Sequence, residues 1–312
     1  MKRILLSFLL LSSNIILAQN IEIIPLGVYG GGDESNLSSY LVGKKDEHSY
    51  LALDAGTIRA GINEAIKAGT FTTNTKNVLQ DYIKGYFISH GHLDHLSGLI
   101  INSPDDINKP IYSLPFVIDI LKNNYFTNTS WANFGNEGEV PIINKYKYQR
   151  ITPGHTFPIE GTKMSAEVFT LSHVNPQLSS ALLVNVENNY VLYFGDTGSD
   201  RIENVNYLEL IWNRISPLIK EKKLKAILIE VSFPNSQPEN KLFGHLTPKL
   251  LNEELQKLST LTGKEALDNF NIIITHLKPV EDQVETIKKE LQDNNPLQLN
   301  YIFPTQGKRI SL

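Results

Sequence analysis

Short apolar runs, separated by glycine and polar clusters, alternate along the chain with amphipathic stretches of helical spacing. Runs at 21–28, 40–42 and 50–53 predict strands. The last two pair across the polar turn 43–48, which leaves His48 at the surface. Helical spacing follows Asp54-Ala55-Gly56-Thr57 as far as Ala68 and returns at about 76–84. The strand expected at 86–89 runs directly into His90. Further strands are expected at 167–172, within 180–193, and at 226–231, 272–275 and 299–303, with helices at 115–122, 248–258 and 281–292. Between 110 and 149 the aromatic residues Tyr125, Phe126, Trp131 and Phe134 lie among Asn, Thr and Gly, a pattern that reads as a capping insertion. Two strand-rich halves, each with its own helices and with no internal repeat, predict one α/β domain from 19 to 312, an αβ/βα sandwich.

Composition narrows the chemistry. The 312 residues include no cysteine, so disulfides, thiolate metal sites, iron–sulfur clusters and a cysteine nucleophile are excluded. Any metal must be held by His, Asp or Glu. The formal charge of −4 argues against a nucleic-acid polymer as partner, because such binding needs a basic surface to displace counterions. The basic run 220–225, broken by Glu221 and Leu224, reads as a solvated helix end.

Residues 1–18 read as a signal peptide: Lys2 and Arg3, an apolar stretch from 4 to 17, and small Ala18 before Gln19. The stretch is too short and too interrupted for a membrane anchor. Cleavage would remove two positive charges, taking the formal charge from −4 to −6. The expected location is the periplasm or the exterior of a bacterium.

The strongest chemical signal is Ser89-His90-Gly91-His92-Leu93-Asp94-His95-Leu96-Ser97-Gly98, in which three His and one Asp fall within six residues after an apolar strand. Neutral imidazoles and carboxylates are what zinc takes when thiolate is missing. His173 follows the strand-like 168–171, Asp196 closes the apolar run 191–194, and His276 ends 272–274. Each is a polar residue at a strand end, so all can converge on one edge of a sandwich.

The pattern His90-x-His92-x-Asp94-His95, with His173, Asp196 and His276 downstream, resembles the metallo-β-lactamase superfamily. Its continuation through Leu96-Ser97-Gly98-Leu99-Ile100-Ile101-Asn102-Ser103-Pro104 is similar to the signature of the class II cyclic-nucleotide phosphodiesterases. So are the segments 35–42, Trp131-Ala132-Asn133-Phe134 and Gly244-His245-Leu246-Thr247-Pro248. The resemblance covers nearly the whole mature chain and implies the metallo-β-lactamase fold. It implies two Zn2+, one on His90, His92 and His173, the other on Asp94, His95 and His276, with Asp196 bridging. Manganese or iron also suits such donors. Asp54 would brace the metal loop without binding metal.

The implied reaction is hydrolysis of a 3′,5′-cyclic nucleotide, cAMP or cGMP, to the 5′-monophosphate by a metal-bridging hydroxide. Asp94 and Asp196 would hold the catalytic metals, and His245 would protonate the leaving 3′ oxygen. Glu230 either orients His245 or serves as a buried hydrogen-bonding group. The aromatic residues of 110–149 either stack on the base or hold the insertion together. His155 lies in a turn and carries no role. Alternatives on the same fold are a β-lactamase, a sulfatase or a tRNA-processing nuclease; a non-catalytic zinc-binding protein is the alternative from another class. Oligomeric state is open, a homodimer included.

Overall fold

The computed structural model describes residues 20–312. Residues 1–18, read as a signal peptide, lie outside the described residues. The strands in chain order are β1 (Ile21–Gly27), β2 (Ser39–Lys44), β3 (Tyr50–Leu53), β4 (Ile83–Phe87), β5 (Lys109–Ser113), β6 (Tyr146–Arg150), β7 (Thr156–Pro158), β8 (Ser165–Ser172), β9 (Leu178–Val186), β10 (Asn189–Phe194), β11 (Leu224–Glu230), β12 (Asn271–Thr275), β13 (Asn300–Ile302) and β14 (Ile310–Ser311). They form two seven-stranded sheets, ordered β14-β1-β2-β3-β4-β5-β6 and β13-β12-β11-β10-β9-β8-β7.

Side-chain alternation explains the layering. Tyr40 and Val42 face the second sheet, in a shared core with Val168, Leu182, Val184, Tyr193 and Leu228. Leu41 points the other way, against Ile62 and Ala65 of helix Arg59–Lys67 and Leu96 and Leu99 of helix Leu93–Asn102. The outer face of the second sheet packs Leu192, Phe194, Ile227 and Ile229 against helices Tyr207–Lys220, Pro248–Thr262 and Gln283–Asp293. Strands covered on both faces read as continuous apolar runs. The expected αβ/βα sandwich is the observed fold.

Two expectations need correction. The stretch 110–149 is not a cap outside the core, because it begins and ends in sheet strands: β5 pairs with β4 and β6 in parallel. Phe126 is buried between the rings of Phe134 and Tyr146. The tyrosine-rich strands enter the core because buried Asp106 accepts hydrogen bonds from the hydroxyls of Tyr86 (2.6 Å) and Tyr146 (2.9 Å). Helix Tyr207–Lys220 was not among the expected elements, although Leu208, Ile211, Trp212, Ile215 and Ile219 form a buried helical stripe. Pro217, in its last turn, interrupts the sequence pattern without ending the helix.

The topology gathers the chemistry at one edge. β10, β11 and β12 run parallel, and β8 shares their direction because both β8 and β10 are antiparallel to β9. The residues that end or follow these strands, His173, Asp196, Glu230 and His276, therefore emerge together. In the first sheet, parallel β3 and β4 deliver Asp54 and Ser89-His90 to the same edge.

Candidate metal centre

All seven expected ligand residues meet there. Donor atoms of His90, His92, His173 and Asp196 lie within 4.8 Å of one another, and so do those of Asp94, His95 and His276. Asp196 stands between the groups. Its Oδ1 is 3.2 Å from His95 Nε2, and its Oδ2 is 3.3 Å from His276 Nε2 and 3.7 Å from His90 Nε2.

Hydrogen bonds behind the rings decide which atoms face inward. Asp54, fully buried, accepts from Ser89 N (2.7 Å), Ser89 Oγ (2.7 Å), His95 Nδ1 (2.7 Å) and Tyr193 OH (2.6 Å). Because Ser89 gives its proton to Asp54, its oxygen accepts from His90 Nδ1 at 3.0 Å. His173 Nδ1 donates to the Gly244 carbonyl at 2.9 Å. Ser232 donates to Glu230 Oε2 at 2.8 Å and accepts from His276 Nδ1 at 2.9 Å. Four imidazoles thus carry a proton on the outer nitrogen and turn Nε2 inward, where a metal would displace any second proton.

Those inward atoms lack proton-bearing partners. His90 Nε2, His95 Nε2 and Asp196 Oδ1 are buried without a hydrogen bond. His92 Nδ1 faces His173 Nε2 at 3.3 Å, and His276 Nε2 faces Asp94 Oδ2 at 3.1 Å. Lone pairs converging in a buried space are what a divalent cation satisfies. Burial, with neighbouring imidazoles, pushes the pKa of His90 well below its usual value and lowers that of His92. Burial opposes ionisation of Asp196, but the surrounding imidazoles hold its carboxyl well below the usual range. Burial also opposes the imidazolium of His95, yet the carboxylates of Asp196, Asp54 and Asp94 raise its pKa.

Close packing supports the arrangement. A side chain on Gly30 would place its Cβ 2.1 Å from the His276 ring, and one on Gly56 would lie 2.0 Å from the Asp94 carbonyl. Gly31 N donates to Asp94 Oδ2 at 3.0 Å, a role for the glycine run that the sequence leaves unassigned. His276 leaves β12 with φ +55, a backbone conformation rare outside glycine.

His245 adjoins the cluster. Its Nδ1 is 2.8 Å from Glu230 Oε1 and its ring stacks on His276 at 5.2 Å. Lys278 Nζ is 3.2 Å from its Nε2 and 4.6 Å from the Phe233 ring centre. Burial and the Lys278 ammonium push the His245 pKa down to about 3. The ring is therefore neutral at rest. Burial, then the Asp196 carboxylate, push Glu230 up to about 7. Ser232 and Lys278 carried no sequence signal, since each gains meaning only through its neighbours in space.

Of the two readings of the aromatic residues in 110–149, their contacts fit the one in which they hold the segment together. Phe126 and Phe134 are core residues, Tyr125 donates to the Gly91 carbonyl at 2.9 Å, and Trp131 donates to Ser103 Oγ at 3.1 Å. A cavity of about 460 Å³ opens beside His90, His92 and His173, lined by Phe116, Ile120, Pro176, Gln177 and Leu178. His48 and His155 are exposed and take no part.

A family model described as cAMP phosphodiesterases class-II matches residues 71–307. The chain belongs to the class-II cAMP phosphodiesterases. A relative in this phosphodiesterase family, the 3′,5′-cyclic-nucleotide phosphodiesterase of Aliivibrio fischeri, is 41% identical over 92% of this chain and 91% of its own. The cAMP/cGMP-dependent 3′,5′-cAMP/cGMP phosphodiesterase A of Dictyostelium discoideum is 30% identical over 93% of this chain and 80% of its own. Unliganded yeast PDE1 shares the fold with a TM-score of 0.82 at 24% identity, over 94% of this chain and 99% of that one. The metallo-β-lactamase-fold protein YhfI of Bacillus subtilis gives 0.60 at 16%, covering 93% and 99%. In this class-II phosphodiesterase the His/Asp cluster is a divalent-metal-binding site.

Proposed function

We propose that the protein hydrolyses 3′,5′-cyclic nucleotides to nucleoside 5′-monophosphates at a two-zinc centre. The observation that carries this reading is the ring of inward lone pairs, held by Asp54, Ser89, Ser232 and the Gly244 carbonyl, with His245 at its margin. His90, His92 and His173 would hold one ion and Asp94, His95 and His276 the other, with Asp196 shared. When bound, the ions polarise the phosphoryl oxygens and lower the pKa of the attacking water. The water oxygen joins phosphorus, the bond from phosphorus to O3′ breaks, and O3′ takes up a proton.

His245 would deliver this proton from Nε2, which is bare at rest and would first take up the proton that the attacking water loses. Negative charge gathering on the reacting phosphate raises the ring's proton affinity above its resting value, and the Glu230 carboxylate on Nδ1 steadies the imidazolium. Lys278, beside Nε2, adds positive charge where the leaving oxygen develops its negative charge. Names of relatives include cAMP and cGMP, so both are taken as substrates. The pattern from Lys2 to Ala18 supports export with cleavage before Gln19. Mass spectrometry of the exported chain would return Gln19, or its pyroglutamate, as the first residue.

The deciding experiment incubates purified protein with cAMP, cGMP and 2′,3′-cyclic nucleotides, and identifies products by chromatography alongside metal analysis. The expected products are 5′-AMP and 5′-GMP from the 3′,5′ substrates, with two equivalents of zinc in the active protein. Hydrolysis of none of these, or of the 2′,3′ substrates alone, overturns the proposal.

A further inference from the structure

The cavity beside His90, His92 and His173 has two firm walls. On one side, Phe116 and Ile120 belong to helix Pro115–Ile120, which packs so closely on the metal loop that a Cβ on Gly91 would lie 2.8 Å from Ile120. Tyr125 fastens the same contact through the Gly91 carbonyl. On the other side runs the turn from His173 to Leu178. Gln177 N donates to the Val174 carbonyl at 2.9 Å, and His173 N donates to the Gln177 carbonyl at 3.1 Å. Glu203 pins this turn. Its Oε2 accepts from Asn175 N (2.7 Å) and Ser172 Oγ (2.8 Å), and its carbonyl accepts from Asn175 Nδ2 (3.0 Å).

These walls are mostly apolar, and one of them offers an aromatic face. The backbone of Gln177 closes the turn, and this exposed residue, one of those lining the cavity, carries a carboxamide free of hydrogen bonds to the described residues. Apart from the imidazoles, no lining residue is ionisable, so the cavity suits a neutral, flat group better than a phosphate. Its volume falls within the range of small-molecule sites, roughly 300–1,000 Å³.

We propose that this cavity receives the purine of the cyclic nucleotide, with Phe116 as its stacking face and Gln177 reading its edge. The proposal rests on the cyclic-nucleotide reading above. A carboxamide presents one donor beside one acceptor. Adenine matches it with the N6 amino group and an adjacent ring nitrogen, and guanine matches it with N1–H and O6. Rotating the amide by half a turn exchanges the two patterns, so a single residue accepts both purines.

The test is Gln177→Glu, which leaves size unchanged but makes the group acceptor-only. Guanine still offers two adjacent donors, N1–H and the 2-amino group, whereas adenine now sets an unpaired acceptor against the carboxylate. The ratio of kcat/KM for cGMP over cAMP should rise about tenfold or more, chiefly through the KM for cAMP, the span expected for one lost bidentate base contact. Phe116→Ala should raise KM for both nucleotides by about tenfold without moving that ratio. Metal content and the rate on bis(p-nitrophenyl) phosphate, which has no base, report whether the metal centre is intact. If the wild type hydrolyses both nucleotides and the ratio stays fixed in Gln177→Glu, the base site is refuted. If the wild type hydrolyses neither, the functional reading itself has failed.

Discussion

Replacing Glu230 with Gln tests how the buried acid works behind His245. Glu230 is fully buried, with Oε1 at 2.8 Å from His245 Nδ1 and Oε2 at 2.8 Å from Ser232 Oγ, whose oxygen in turn accepts from His276 Nδ1. The substitution keeps the shape but replaces one acceptor with a donor. If the amide oxygen faces His245, the NH2 group donates to Ser232. The serine can then turn its proton to the His276 carbonyl, 3.2 Å away, while still accepting from His276 Nδ1, so the metal ligand is undisturbed. If the oxygen faces Ser232, the NH2 group donates to His245 Nδ1 and no carboxylate remains to steady the imidazolium. The first orientation keeps an acceptor for His245 Nδ1 and for Thr197 N and should prevail.

The expected loss follows from the bonds involved. A hydrogen bond to a charged group contributes about 1.5–3 kcal/mol and a neutral one about 0.5–1.5, so the charge alone accounts for about 1–1.5 kcal/mol, roughly tenfold in rate. Removing the ring in His245→Ala should cost about 10²–10⁴-fold. Steady-state kinetics on cAMP for both single variants and the double variant, with metal content measured for each, give the cycle. In the His245→Ala background, Glu230→Gln should change kcat by less than about twofold, because the group it steadies is gone. An ester with a p-nitrophenolate leaving group needs no proton and should be nearly indifferent to either change. A full tenfold loss in the His245→Ala background, equal slowing of both substrates, or loss of metal would each refute the acid role.

Chelation should abolish hydrolysis and added zinc should restore it, since the chemistry proposed runs through His- and Asp-held metal rather than a covalent nucleophile; full activity in protein shown metal-free by elemental analysis contradicts this. Asp54→Asn should weaken metal binding by about 10–100-fold in competition with a chelating dye, because it disturbs the acceptor shared by Ser89, His95 and Tyr193. In the metal-free protein, Glu230 has its pKa raised from 4.5 to about 7, so the associated stability is present below pH 4.5 and lost as pH rises through 7. The stability of Glu230→Gln relative to wild type should therefore increase with pH across that window in denaturant unfolding; a flat difference would show that Glu230 titrates normally.

The metal centre was legible in sequence because four of its residues are neighbours in the chain and the others each close an apolar run. Strand ends on one edge of a sandwich must converge, so position along the chain stood in for position in space. The base cavity was not legible, because Phe116 and Gln177 come from separate halves of the sandwich and neither carries a pattern. The aromatic residues of 110–149 misled for a physical reason: β5 and β6 are short and polar, and pairing of Lys109 and Tyr146 with buried Asp106 lets them into the core. Helix Tyr207–Lys220 was readable from its spacing, but Pro217 masked it.

The two acids outside the ligand set show what the fold contributes beyond convergence. Asp54 follows β3 in one sheet and Glu230 ends β11 in the other. Each holds one imidazole directly, His95 or His245, and a second through a serine, His90 by Ser89 or His276 by Ser232. In each half a buried carboxylate draws the serine's proton, so the serine oxygen can only accept and the next ring must keep its proton outside. Each sheet thus brings an acid, a serine and two histidines to the shared edge, and the direction of those hydrogen bonds fixes the protonation pattern that metal binding requires. The divergence lies in the directly held rings: His95 faces Asp196, whereas His245 faces Lys278, so equivalent support from behind suits one ring to ligate metal and the other to carry a proton, the roles proposed for them.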